Sequence, residues 1–259
     1  MRGRSRPFLR VVQFIIILKR NGDKAMTSYN IQNFSDFCSA LLDAGFSMGG
    51  GNNEGVFGLI NYGWDNAPED ANVVWHTGDP EHDPWEWRIR VLDEREDIAY
   101  SKLFFNKSGY ITRDWYPCFL AARRGSMSLR EEYENGTVSN YAKKIYELIS
   151  ENVVLPLHAI KQLGGFGKED KAKFDRALTE LQMKLYITMC GRQQKISEAG
   201  SEYGWSSTVF CTTEQFWGKK VFEAAAELTK EQAVELISGQ IYKLNPEAAG
   251  KKVAKFICG

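Results

Sequence analysis

The chemistry-bearing residues of the first half crowd into one stretch, Trp75–Arg90, which reads WHTGDPEHDPWEWRIR. Asp83 and Glu86 are carboxylates three positions apart, with Trp85, Trp87 and Arg88 beside them. Tyr110 and Trp115 follow, and five of the seven tryptophans fall between Trp64 and Trp115. Flat rings next to a carboxylate and a guanidinium are what a pocket for an extruded nucleobase requires. The rings stack on the base, and the carboxylate orients water toward the sugar carbon. Asp83 and Glu86 are therefore the candidate catalytic residues, with Trp85, Trp87, Arg88, Tyr110 and Trp115 as a candidate stacking pocket. The competing reading makes Trp85 and Trp87 core anchors and leaves Glu86 and Arg88 solvated. His76 and His82, flanked by aspartates, lack a metal-ligand spacing such as HExxH; no metal and no cofactor are expected.

A run of short elements must position these residues. Asp79-Pro80 and Asp83-Pro84 force an extended or turning backbone before a helix that starts near Trp85. Upstream, a helix is expected from Asn33, with Ser35 as a plausible N-cap and Phe37, Leu41 and Leu42 on its apolar face, ending at Gly45. The glycine-rich run Ser47–Asn53 then leads to an expected strand, Val56–Ile60. It has no GxxxxGK[ST] and precedes a strand, the reverse of a phosphate-binding loop, so it reads as a connection. Downstream, Leu92–Phe105 reads as helix then strand. Lys102–Thr112 reads as two short strands around a Ser108-Gly109 turn. A further helix ends in Arg123-Arg124, which would meet phosphate or sit there for dipole reasons alone.

The second half has a clearer pattern. A helix over Ser139–Asn152 precedes the strand Val153–Leu155, closed by Pro156. A short helix, Leu157–Leu163, stops at Gly164-Gly165. A longer helix over Lys168–Leu185 carries Phe174, Leu178, Leu181 and Leu185 at three- and four-residue steps, one buried stripe. Strand Tyr186–Met189, a polar turn over Gly191–Lys195 and strand Trp205–Thr212 complete a helix-turn-helix with a wing. The long helix is the groove element. Lys168, Lys171, Lys173, Arg176 and Lys184 would contact phosphate or base edges, and Arg192, Gln193 and Lys195 would touch the backbone through the wing.

The same residues resemble a known family. The runs LPLHAIKQLGG and FDRALTELQMKLYITMCGR resemble the winged-helix repeat of the AlkZ/YcaQ group of bacterial DNA glycosylases. The tail LTKEQAVELISGQIYKLNPEAAGKKVAKFICG is similar to that group's next segment, so the resemblance spans roughly residues 139–258. It implies an AlkZ-related protein that binds DNA. In the best-known members it further implies removal of alkylated or crosslinked bases by N-glycosidic bond hydrolysis. Those members carry a Gln-x-Gln catalytic motif that this sequence lacks: Gln193 and Gln194 are adjacent and lie where a wing is expected. The group's catalytic residues are therefore not carried over, and catalysis stays open.

Charge distribution bounds the partners. The formal net charge is zero over 259 residues, but it divides as +6 over residues 1–25, −9 over 26–155 and +3 over 156–259. A mildly basic C-terminal half behind an acidic N-terminal half fits local contact with nucleic acid, not the coating of long phosphate tracts. The five cysteines, Cys38, Cys118, Cys190, Cys211 and Cys258, have no CxxC pattern and read as reduced thiols in the cytoplasm. The apolar run Val11–Leu18 is too short to span a bilayer, so no membrane partner is expected. The expected organisation is α+β and mainly helical: a leader over 1–25 outside the fold, a small mixed aromatic-rich domain over 26–135, and a winged-helix domain over 136–259. Two alternatives to a glycosylase-related DNA binder remain: a non-enzymatic winged-helix regulator, and a protein-interaction module, which the acidic first half favours.

Overall fold

The first helix, α1 (Phe34–Ala44), starts where the sequence suggests, but Asn33, not Ser35, is its N-cap, accepting from the Asp36 amide at 3.0 Å. Phe37 and Leu41 point inward as expected, whereas Leu42 is exposed. Gly45 ends the helix with φ +89, and the Trp115 indole fills the space where a Cβ would stand. The computed structural model from which these positions come describes residues 27–196 and 200–259. The expected leader over 1–25 lies outside the described residues.

Three strands form the first sheet: β1 (Phe46–Met48), β2 (Ile98–Phe104) and β3 (Lys107–Thr112), antiparallel in the order β1–β3–β2. The strand expected at Val56–Ile60 is absent. Glu54 and Gly55 both take positive φ, and the Asn53 side chain accepts from the Gly55 amide at 2.9 Å, turning the chain. Val56, Phe57 and Ile60 are still buried, so the apolar run fills core without joining a ladder. The β2–β3 turn also moves. Phe105 and Asn106 take positive φ and make it, while Ser108 and Gly109 lie inside β3. Gly109 is required there because the Phe104 ring packs over it, 2.5 Å from any added Cβ. Helices α2 (Pro84–Glu94), α3 (Tyr116–Arg123) and α4 (Leu129–Glu134) complete this half.

The next segment runs α5 (Asn140–Glu151), β4 (Val154–Pro156), α6 (Leu157–Leu163), α7 (Lys171–Met183), β5 (Ile187–Ile196) and β6 (Glu202–Thr212). The strands form an antiparallel sheet in the order β4–β6–β5. Phe174, Leu178 and Leu181 of α7 join Ile145 and Ile149 of α5 and Phe210 of β6 in one core, as the three- and four-residue spacing requires. The helix stops short of Leu185, which takes φ +60 between α7 and β5. Residues 191–195 are not a turn. They lie within β5, paired with β6, so the hairpin is longer than expected.

The chain ends with α8 (Thr213–Trp217), α9 (Lys219–Ala226), α10 (Lys230–Leu244), capped by Thr229, and α11 (Gly250–Cys258). Helices α9, α10 and α11 pack on α3, and Val221, Ile237, Ile241 and Phe256 share a core with Phe46 and Phe119. A divide between residues 135 and 136 thus cuts the chain but not this core. Arg123 is its polar fastener. Half-buried on α3, it donates to the carbonyls of Leu103 (2.7 Å), Met183 (2.9 Å), Phe256 (2.7 Å) and Ile257 (2.7 Å), and desolvation of the guanidinium lowers its pKa to about 10. It is therefore occupied, as is Arg124, which reaches Glu214 at 2.6 Å. Among the described residues the fold is mixed α+β, with eleven helices and two three-stranded antiparallel sheets.

Candidate nucleic-acid interface

Helix α7 divides into a docked end and a free end. At its C-terminal end the Gln182 carboxamide oxygen accepts from the Ser101 hydroxyl at 2.9 Å and the Lys102 amide at 3.1 Å, which holds α7 on β2. The Lys102 ammonium adds a contact to the Thr179 hydroxyl at 3.4 Å. At its other end the helix starts at Lys171 and not at Lys168. Here Lys171, Lys173 and Arg176, with Lys168 on the turn just before the helix, are exposed, and among the described residues none of them makes an ion pair. Lys173 stays beside the Tyr141 ring, 5.7 Å away. The acids interspersed with them are Glu169 and Asp175, both exposed, and half-buried Asp170. Asp170 accepts from the Tyr141 hydroxyl and from the Gly167 amide at 2.9 Å, and the Tyr141 bond leads in holding its pKa low. The charge of Lys173 also helps to hold the Asp170 pKa low, although the two side chains form no ion pair.

Lys184 does not belong with them. Its ammonium binds the Glu132 carboxylate and the Thr137 carbonyl, tying the end of α7 to α4. Glu132 is only 3% exposed and also accepts from the Tyr186 hydroxyl at 3.1 Å and the Thr137 hydroxyl at 3.2 Å. A buried carboxylate needs such a partner, so Lys184 is committed to the fold.

On the hairpin, Arg192 and Gln193 are exposed and Lys195 is half-buried, all three in β5 rather than at a loop tip. Gln194, between them, has a structural role. Its amide nitrogen donates to the Gly204 carbonyl at 3.0 Å, and its oxygen accepts from Ser206 at 2.7 Å. Sequence reasoning misses both this role and the exposure of Trp205 at the same place. The signal available is the Gly204-Trp205 pair ahead of the polar run Ser206–Thr208.

The aromatic set around Trp85 is not one pocket. Trp87 and Tyr110 are buried with Phe37, at ring distances of 5.0 and 5.2 Å. Trp115 belongs to a different cluster, edge-on to Phe46 at 5.4 Å. Trp85 stays at the surface, with the Arg88 guanidinium 3.2 Å over its ring and the His76 ring 4.8 Å away. The reason is helical geometry: residues two apart on a helix point to different faces, so Trp85 and Trp87 separate.

Asp83 is the N-cap of α2 and fully buried. Its carboxylate accepts from the amides of His76 (3.0 Å), Gly78 (2.9 Å) and Trp85 (2.8 Å), which organises the turn ahead of the helix. That occupancy suits a capping residue. Glu86 is half-buried one position past Trp85, on a helix that packs against β5. His82 pairs with Asp79 at 2.7 Å at the surface. Among the described residues no group of three His, Cys, Asp or Glu is placed to hold a metal ion, and no helix is long and apolar enough to cross a membrane.

The family model described as "AlkZ related" matches residues 31–258. No curated protein and no solved structure matches the chain.

Proposed function

The chain belongs to the AlkZ-related family, and on that premise we propose that it is a DNA-binding protein whose α5–β6 segment is a winged helix. The order helix, strand, helix, helix, hairpin with a β4–β6–β5 sheet supports this reading. The single observation that carries it is the set of four cations at the free end of α7 that form no ion pair among the described residues: Lys168, Lys171, Lys173 and Arg176. These meet phosphates of duplex DNA, with Arg192 and Lys195 of the hairpin on the adjacent backbone. Phosphate contacts position the protein, and base edges within reach of the helix would add selectivity. The experiment is fluorescence anisotropy of a labelled duplex with the full chain across a salt series. Binding that weakens as salt rises supports the reading; no binding at low salt sinks it and favours a protein-interaction module.

A second reading adds chemistry at an alkylated base. Its support is Glu86, a half-buried carboxylate on α2, which packs against the hairpin strand β5. The carboxylate would orient water toward the glycosidic carbon. Base release from alkylated duplex DNA, abolished by Glu86→Gln with DNA binding retained, would support a glycosylase with a carboxylate in place of the absent Gln-x-Gln pair. No release by the unaltered protein would leave a binder without chemistry.

A further inference from the structure

Trp205 is 91% exposed, although an indole is among the most apolar side chains the chain possesses. The backbone puts it there by construction. Between the pairs Gln193↔Ser207 and Lys195↔Tyr203 the β5–β6 register shifts, so that Gly204, Trp205 and Ser206 face the single residue Gln194. Gly204 takes φ +62, a left-handed conformation that a glycine adopts without strain. The Gln194 carboxamide then fastens both sides of the irregularity. It donates to the carbonyls of Tyr203 at 3.4 Å and Gly204 at 3.0 Å, and accepts from the Ser206 hydroxyl at 2.7 Å. A bulge of this kind bends its strand and re-aims a side chain. Here the side chain it re-aims is the indole.

We propose that Trp205 is a stacking wedge, presented by the Gln194-fastened bulge to a base step of the duplex bound by α7 and the hairpin. The proposal rests on the DNA-binding reading and deepens it. Gln193, Gln194 and Ser206 beside the ring are polar, and among the described residues the other exposed apolar side chains of this hairpin end are Tyr203 and Ile196. Three side chains fall far short of the roughly 800 Å² per partner that a stable protein interface needs. Arg192 and Lys195 are carried on the opposing strand of the same hairpin, continuous with the surface proposed to meet phosphate. An apolar wedge between bases partly unstacks the step and exchanges base–base stacking for base–indole stacking. Every base has a π-face, so the contact supplies affinity and local opening without choosing a sequence.

The test uses the full chain and two duplexes, one dye-labelled for anisotropy and one carrying 2-aminopurine at successive positions. Trp205→Ala should retain the circular dichroism and melting temperature of the unaltered protein, since the ring is outside the core. It should bind roughly tenfold more weakly, the scale of one base–aromatic stack. The change in 2-aminopurine emission seen with the unaltered protein should vanish, and Trp205→Phe should restore it. Lys171→Ala with Arg176→Ala should weaken binding yet keep the emission change at saturation. If Trp205→Ala binds as tightly as the unaltered protein, with the same emission response, the wedge is overturned and DNA binding stands. If the unaltered protein binds no duplex at low salt, both fall. Self-association by sedimentation that is lost in Trp205→Ala would assign the ring to a second copy and also overturn the wedge.

Discussion

The Ser101 hydroxyl donates to the Gln182 carboxamide oxygen at 2.9 Å, and with it the C-terminal end of α7 is docked on β2. Gln182 uses its amide nitrogen on the Leu178 carbonyl at 2.8 Å, so the side chain is held at both ends. A helix fastened this way offers a partner only its first two turns. Those turns carry Lys171, Lys173 and Arg176.

The division of α7 makes the basic residues unequal. Arg176→Ala should cost about 1 kcal/mol of duplex affinity or more, the scale of a hydrogen bond to a charged group. Lys171→Ala should act similarly, and each should make the salt dependence shallower by about one unit of slope. Lys184→Met should leave the slope unchanged. Anisotropy titrations of the three variants against one duplex separate these outcomes.

Lys184 should register in stability instead. Removing it leaves the Glu132 carboxylate, 3% exposed, with only the Tyr186 and Thr137 hydroxyls. Breaking one side of a buried pair costs roughly 3–5 kcal/mol, and the partial exposure of Lys184 reduces this to about 2 kcal/mol. Lys184→Met combined with Glu132→Gln should recover much of the loss, because the unpaired charge is gone. Chemical denaturation of the single and double variants measures it.

Asp83 and Glu86 should part company under mutation. Asp83→Ala removes an N-cap and leaves the His76 and Gly78 amide donors without their carboxylate acceptor, so it should destabilise the protein by about 2 kcal/mol. Any activity lost would follow the unfolding. Glu86→Gln should melt with the unaltered protein, which makes it the informative variant in a base-release assay.

Much of the fold is legible in the sequence, for reasons particular residues make plain. Phe174, Leu178 and Leu181 face one core, so their spacing announces α7 and the strand after it. The hairpin turn is expected too early because Gly191–Lys195 is polar like a turn. A hairpin exposed along much of its length has no buried face to impose apolar alternation. The aromatic pocket fails because sequence proximity on a helix is not shared direction: Trp87 turns to Phe37 and Trp85 to solvent. Val56–Ile60 reads as a strand because it is apolar, but Glu54 and Gly55 turn it into buried loop. Arg123 gives no local sign of what it does, since its four carbonyl partners come from segments up to 134 positions away.

Thiol chemistry offers a check on the hairpin itself. Cys190 on β5 lies against Cys211 on β6, whose thiol hydrogen bond lowers the Cys190 pKa and raises that of Cys211. Burial pushes Cys118 up to about 12 and Cys38 to about 11. The thiolate is the nucleophile, so near neutral pH iodoacetamide should modify half-buried Cys190 well before Cys38, Cys118 or Cys211. Cys211→Ala removes the donor, raises the Cys190 pKa and should slow its alkylation. Peptide mapping over time reads both effects, and equal rates at Cys190 in the two proteins would mean that the Cys211 thiol does not donate to Cys190.

The most direct test of a DNA-binding role is the affinity of the full chain for duplex DNA as a function of salt. Six exposed or half-exposed cations, Lys168, Lys171, Lys173, Arg176, Arg192 and Lys195, should give a slope of log K against log salt of about −5 when all meet phosphate. Replacing Lys171 and Arg176 together should reduce that slope by about two. A chain that binds no duplex at low salt, or binds with no salt dependence, would contradict a DNA-binding role for α7 and its hairpin.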